Sequence, residues 1–316
     1  MHYSPVAMHI PDGFLSVAVS LLLWLLSAVV IFFALKIVSR DLGEKDIPMM
    51  GVLAAAIFAG QMLNFAVTGG TSGHLLGAAL ATIILGPWPA VLVMTSVVGI
   101  QALIFQDGGL LALGANLFTM AVVGPSVSYF VYTTIQKLAA GKKWGVFAGG
   151  FLAGSISVFV ASLGVALMLA VSGTSPANIA VPAMAGIHAL IGIGEGLITT
   201  GALAFLFAAR PDLLKSRNGT GKSTIWVGGL AVAAVLAVIS PLASANPDGL
   251  EWVAEEKGFI DTAQGPLYNI IPDYVLPGIS NEAVATILAG LVGILIVAGS
   301  MLAVSLLKKD KTSSRG

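Results

Sequence analysis

The 316-residue sequence has no cysteine, which removes disulfides, thiolate metal ligands and cysteine nucleophiles from consideration. Charge is nearly as scarce: Asp, Glu, Lys and Arg make up 9% of the residues, where soluble domains carry about 25%. The other side of that deficit is a chain that is 57% hydrophobic with a mean hydropathy of +0.97, and this defines an integral membrane protein. Many apolar runs reach the roughly 20 residues a helix needs to cross a bilayer. No basic n-region precedes the first run and no cleavage site follows it, so it reads as a retained helix and not as a signal peptide. The formal net charge is zero, and no nucleic-acid partner is expected. No HExxH pattern occurs, so a membrane zinc protease is not supported.

What is abundant is glycine, with 38 residues; small residues let membrane helices approach closely. The apolar periodicity places helices at 16–37, 47–67, 73–86, 88–106, 109–136, 145–172, 181–209, 224–242 and 283–307. The expected fold is an all-α polytopic membrane protein, a seven-helix bundle plus two additional transmembrane helices. Gly86-Pro87-Trp88-Pro89 divides the third helix from the fourth, because proline inside a helix breaks its ladder. Fourteen of the fifteen basic residues fall on one side of this scheme: Lys36, Arg40, Lys45, Lys137, Lys142, Lys143, Arg210, Lys215, Arg217, Lys222, Lys308, Lys309, Lys311 and Arg315. Only Lys257 lies opposite. The positive-inside rule makes the basic side cytoplasmic, which puts the N-terminus outside and the C-terminus inside a plasma membrane. The loop from Pro241 to Glu282 is then external and acidic, either a cation-gathering surface or simply a soluble one. Arg210–Lys222 reads as a cytoplasmic linker, dividing the chain at 215/216. Asn218-Gly219-Thr220-Gly221-Lys222-Ser223-Thr224 imitates a phosphate loop, but Ser216 stands where the motif needs glycine and no strand precedes it.

Met8-His9-Ile10-Pro11-Asp12-Gly13-Phe14 carries the sharpest chemistry. If Met8 is the first residue, a free α-amine, the deprotonated amide of His9 and its imidazole Nδ1 wrap one ion in five- and six-membered chelate rings. A planar nitrogen set suits tetragonal Ni(II) or Cu(II) better than tetrahedral Zn(II). His74, in Thr71-Ser72-Gly73-His74, is the best fourth ligand; otherwise it is a capping histidine at a helix start. Asp12, Asn64, Thr71 and Ser72 are expected to orient the imidazoles from behind. His188 and Glu195, seven residues apart on one helix face, form either a coupling relay or a packing contact among Gly192, Gly194 and Gly196. Gly51, Ala55 and Ala59 make a small-residue ridge, for internal packing or for docking a partner subunit.

Met8-His9-Ile10-Pro11-Asp12-Gly13-Phe14, Thr71-Ser72-Gly73-His74-Leu75-Leu76-Gly77 and Ile191-Gly192-Ile193-Gly194-Glu195-Gly196 resemble the CbiM/NikM family. These are the S-components of energy-coupling-factor (ECF) transporters for cobalt and nickel. Asn246-Pro247-Asp248-Gly249-Leu250-Glu251, between two helices, resembles the small CbiN/NikN subunit. The whole is similar to a fused NikMN-type arrangement, with 1-215 as the S-component and 216-316 as the appended region. The resemblance implies Ni(II) or Co(II) as transported substrate, held by Met8, His9 and His74, and a coupling (T) subunit with two ABC ATPase subunits as partners. It also points to translation from Met8, since Met1 to Ala7 would turn the chelating amine into an amide; the alternative is a chelate at Met1-His2, which lacks the Pro-Asp-Gly turn and the family spacing. An ion-coupled secondary carrier using His188 and Glu195 is the alternative; an intramembrane enzyme has no nucleophile or metalloprotease signature behind it.

Overall fold

The computed structural model describes residues 8–41, 46–209 and 224–313. Among the described residues the fold is all-α but for one hairpin. Helix α1 (Val17–Asp41) is followed by α2 (Asp46–Gln61), strands β1 (Phe65–Val67) and β2 (Thr71–Gly73), then α3 (Ala78–Leu85) and α4 (Pro87–Ile104). A short α5 (Leu113–Asn116) runs through a π-helical stretch, Leu117–Val123, into α6 (Gly124–Leu138). Helices α7 (Lys143–Ser172), α8 (Ala177–Ala209), α9 (Thr224–Ile239), α10 (Gly249–Lys257) and α11 (Glu282–Ser313) complete the described chain. Among the described residues six helical segments are long and apolar enough to cross a membrane, and the apolar segments Ile47–Gln61 and Gly228–Leu242 are shorter.

The third and fourth expected helices do meet at the glycine–proline break, with Pro87 opening α4. The second and third are shorter than expected. Residues 65–67 and 71–73 leave the helices and pair antiparallel, Phe65 with Gly73 and Val67 with Thr71. Gly69 and Gly70, at φ +101° and +81°, supply the left-handed turn that the hairpin requires. Chain 74–77 then continues without helix, and α3 has only eight residues, a rise of about 12 Å. This is a half-unwound segment in place of a third full helix. Such backbone is tolerated in a membrane protein where it is buried in protein or lines a cavity.

Of the two options for the small-residue ridge of α2, this structure shows packing within the chain. Ala55 and Ala59 are fully buried, and a methyl group on Gly51 would lie 3.1 Å from the carbonyl oxygen of Ala298 on α11. Ala233 and Ala237 of α9 and Ala289, Ile294 and Val297 of α11 share one apolar core with α2 and α4. The proposed linker, the phosphate-loop look-alike up to Ser223 and residues Met1 to Ala7 lie outside the described residues.

Candidate metal centre

Residues 8–16 fold inward ahead of α1 and are clamped by the connection from α4 to α5. Asn116 grips Ile10 twice: the Ile10 N–H donates to Oδ1 at 3.0 Å, and Nδ2 donates to the Ile10 carbonyl at 3.1 Å. The Asp12 carboxylate accepts from the N–H groups of Leu110 (3.1 Å) and Ala112 (2.8 Å). Gly13 takes φ +93°, and any side chain there would overlap the Thr262 carbonyl. The Pro-Asp-Gly turn is thus fixed both by its own backbone and by its neighbours.

His9 is buried. Its backbone N–H donates to Asp107 Oδ1 at 3.2 Å, and its ring Nδ1 lies 3.4 Å from that same oxygen and 3.3 Å from the Asp107 carbonyl. Two of the three nitrogens expected to chelate therefore converge on one point. Nε2 of the same ring is buried without a partner. The His74 ring stands edge-on to the His9 ring, centroids 5.5 Å apart, with Nδ1 3.1 Å from the Leu75 carbonyl and the Met8 backbone also against it. Met8, His9 and His74 thus share one wall of a cavity of about 100 Å³, which Asn116, Thr119, Met120, Met184, His188 and Asp248 also line. Among the described residues no three His, Asp or Glu side chains are gathered to hold a metal; a chelate that recruits main-chain nitrogen does not need them.

None of the four residues expected behind the imidazoles is hydrogen-bonded to one. Asp12 holds the 110–112 turn. The Thr71 and Ser72 hydroxyls donate to the carbonyls of Pro247 (3.1 Å) and Asn246 (2.9 Å), and the Ser72 N–H also reaches Pro247 (2.8 Å). The Asn64 carbonyl accepts from the Ser244 N–H, 2.8 Å. The hairpin's polar side chains therefore bind the segment before α10. Asp107 does what was expected of the four by lying against the His9 ring, while Asn116 fixes the Ile10 backbone beside it. The signal was present in Asp107-Gly108-Gly109, a charged turn between two apolar runs, and in Asn116, a lone amide inside one.

His188 and Glu195 are not hydrogen-bonded to each other. The His188 Nδ1 lies 2.9 Å from the Met184 carbonyl, and the ring faces the cavity near Gly249. Glu195, fully buried, accepts from the N–H groups of Leu76 (2.7 Å) and Gly77 (3.0 Å), so its carboxyl replaces the helical acceptors that the unwound segment gives up. Asp248 closes the cavity from the other side. It caps α10 by accepting from the Glu251 N–H at 2.8 Å, and burial pushes its carboxyl up to about 8. Cap and cavity wall are one side chain.

The chain matches two family models: a cobalt uptake substrate-specific transmembrane region (CbiM) over residues 9–213 and a PDGLE domain over residues 223–310. It is 38% identical over 296 residues to the "Putative fused nickel transport protein NikMN" of Archaeoglobus fulgidus, covering 92% of this chain and 95% of that one. It is 31% identical to the fused nickel transport protein NikMN of Rhodobacter capsulatus, covering 92% and 96% of the two chains. A crystal structure of a transition metal transporter superposes with a TM-score of 0.57 at 34% identity, over 66% of this chain and 96% of that one.

Proposed function

Because the chain belongs to the CbiM family of cobalt-uptake transmembrane proteins, with a PDGLE domain after it, we propose that it is the substrate-specific component of an ECF importer for Ni(II), with Co(II) second. It is a multi-pass membrane component of metal uptake and not an enzyme. In this reading residues 1-215 form the S-component and 216-316 assist metal loading or assembly. The N-terminus and the cavity face outward and the C-terminus is cytoplasmic. A coupling subunit and two ATPase subunits supply the energy.

The ion is held by the Met8 amine, the His9 amide nitrogen and Nδ1, and the His74 imidazole. The observation that carries this is the convergence of His9 N and Nδ1 on a single oxygen at 3.2 and 3.4 Å, with the second imidazole at the same cavity wall. One ion set between those two nitrogens closes a six-membered ring. The reading requires that the mature chain begin at Met8, which mass spectrometry of the native N-terminus checks. Amine and amide must both lose protons to bind, so affinity falls on acidification. Calorimetric titration of Ni(II) at two pH values is the test, with acetylated amine, His9→Ala and His74→Ala as controls. Equal affinity at both pH values, or undiminished binding by the acetylated chain, refutes the chelate.

A further inference from the structure

The loop before α11 reaches the same carboxylate that receives the His9 nitrogens. Tyr274 donates its hydroxyl to Asp107 Oδ2 at 2.6 Å, a short bond, while Oδ1 faces His9. Both oxygens of one side chain are thereby assigned, one to each end of the chain. The tyrosine ring is itself held, stacked on Phe105 at 4.8 Å and 17°. The loop backbone is zipped to the end of α4: Ile271 N–H to the Ile104 carbonyl (3.0 Å), Asp273 N–H to that of Phe105 (3.2 Å) and Ile270 N–H to Gln106 Oε1 (3.1 Å).

The same place concentrates backbone strain. Gln106, Asp273 and Tyr274 have φ of +55°, +52° and +57°; Ala140 is the other non-glycine residue in that region among the described residues. Three of four such residues therefore surround Asp107. Left-handed non-glycine residues persist where the surroundings over-determine them, and they gather at functional sites. A merely space-filling tyrosine would need neither the strained backbone nor a hydroxyl aimed at a buried carboxylate.

We propose that Tyr274 is a positioning residue for metal capture, acting through Asp107: by occupying Oδ2 it turns Oδ1 onto His9 and keeps the two His9 nitrogens in chelating register before the ion arrives. The proposal rests on the chelate reading above. Its reach into the C-terminal region gives that region a defined part in the site, the aim of one carboxylate.

The test follows Ni(II) association by stopped-flow absorbance on the purified full chain with its native N-terminus. Tyr274→Phe keeps the ring stack and removes only the hydroxyl. It is expected to leave the visible Ni(II) band where it is, since no ligand changes, and to slow association about tenfold. Asp107→Asn is expected to slow it comparably, and the double variant no further, because the two groups act as one unit. Tyr268→Phe is the control for loop anchoring: its hydroxyl bonds the Leu103 carbonyl at 2.9 Å in the same loop but does not meet Asp107, and wild-type association is expected. Unchanged association in Tyr274→Phe, multiplying effects of the two variants, or equal slowing by Tyr268→Phe each overturns the proposal. Wild-type protein that shows no nitrogen-coordinated Ni(II) band would overturn the chelate itself, and that outcome is distinct from the other three.

Discussion

Glu195→Gln separates a structural carboxyl from a transport relay. In the wild type the two Glu195 oxygens each accept one backbone N–H, from Leu76 and from Gly77, inside a fully buried site. Glutamine keeps the length and one oxygen. Its amide nitrogen must then face the other N–H, donor against donor, so one buried donor loses its acceptor. That loss costs about 1–3 kcal/mol; the midpoint, near 2 kcal/mol, corresponds to a roughly 30-fold rise in the population of locally opened segment. Hydrogen exchange read by mass spectrometry on a peptide spanning residues 71–77 measures this directly. The expected result is exchange about 30-fold faster there, with the far half of α8 unchanged and Ni(II) affinity lowered because His74 lies in the loosened stretch. Metal uptake abolished with exchange at residues 71–77 unaltered would refute the structural assignment and restore the relay.

Two further outcomes follow from the same geometry. Asn116→Ala removes the Oδ1 that accepts the Ile10 N–H, while the Ile10 carbonyl keeps the Gly109 N–H at 3.0 Å. One orphaned donor, about 1–3 kcal/mol, should weaken Ni(II) binding about tenfold or more by freeing the N-terminal arm; unchanged affinity in calorimetry would show that the clamp is dispensable. Asp248 has its folded value raised from 3.8 to about 8, chiefly by burial. The folded state therefore holds the proton more tightly than the unfolded chain does. Its favourable contribution is complete below about pH 4 and is lost as pH rises through about 8. Asp248→Asn keeps a good N-cap and removes the titration. The variant's melting temperature should thus fall less than the wild type's between pH 5 and pH 8, and parallel declines would refute the assignment.

The helical, membrane-spanning character was legible because composition alone excludes a soluble chain and because the break at Gly86-Pro87 forbids one continuous helix. The Pro-Asp-Gly turn and the meeting of His9 with the Thr71–His74 stretch were legible too, through local backbone chemistry and the common side to which the charge pattern assigns both. The unwinding of residues 73–77 was not. Their apolar run looks helical, and the group that takes up the N–H groups of Leu76 and Gly77 is Glu195, far along the chain. Asp107 was missed for a related reason: its partners sit 98 and 167 residues away, and no periodicity links such separations. The small-residue ridge was legible as a close-contact surface, but not its occupant, since a neighbouring helix in the same chain and a separate subunit demand the same sequence.

One consequence concerns the order in which the molecule can be made. Asp12 pairs with Gln264 as an isolated antiparallel bridge, the Gln264 N–H reaching the Asp12 carbonyl at 2.7 Å. Asp12 therefore gains this partner only after some 250 further residues have been synthesised. A nascent or prematurely ended chain would carry the histidines yet lack this bridge to the Asp12 turn, so on the proposed reading an ion would meet the finished arm only after translation has run past Gln264.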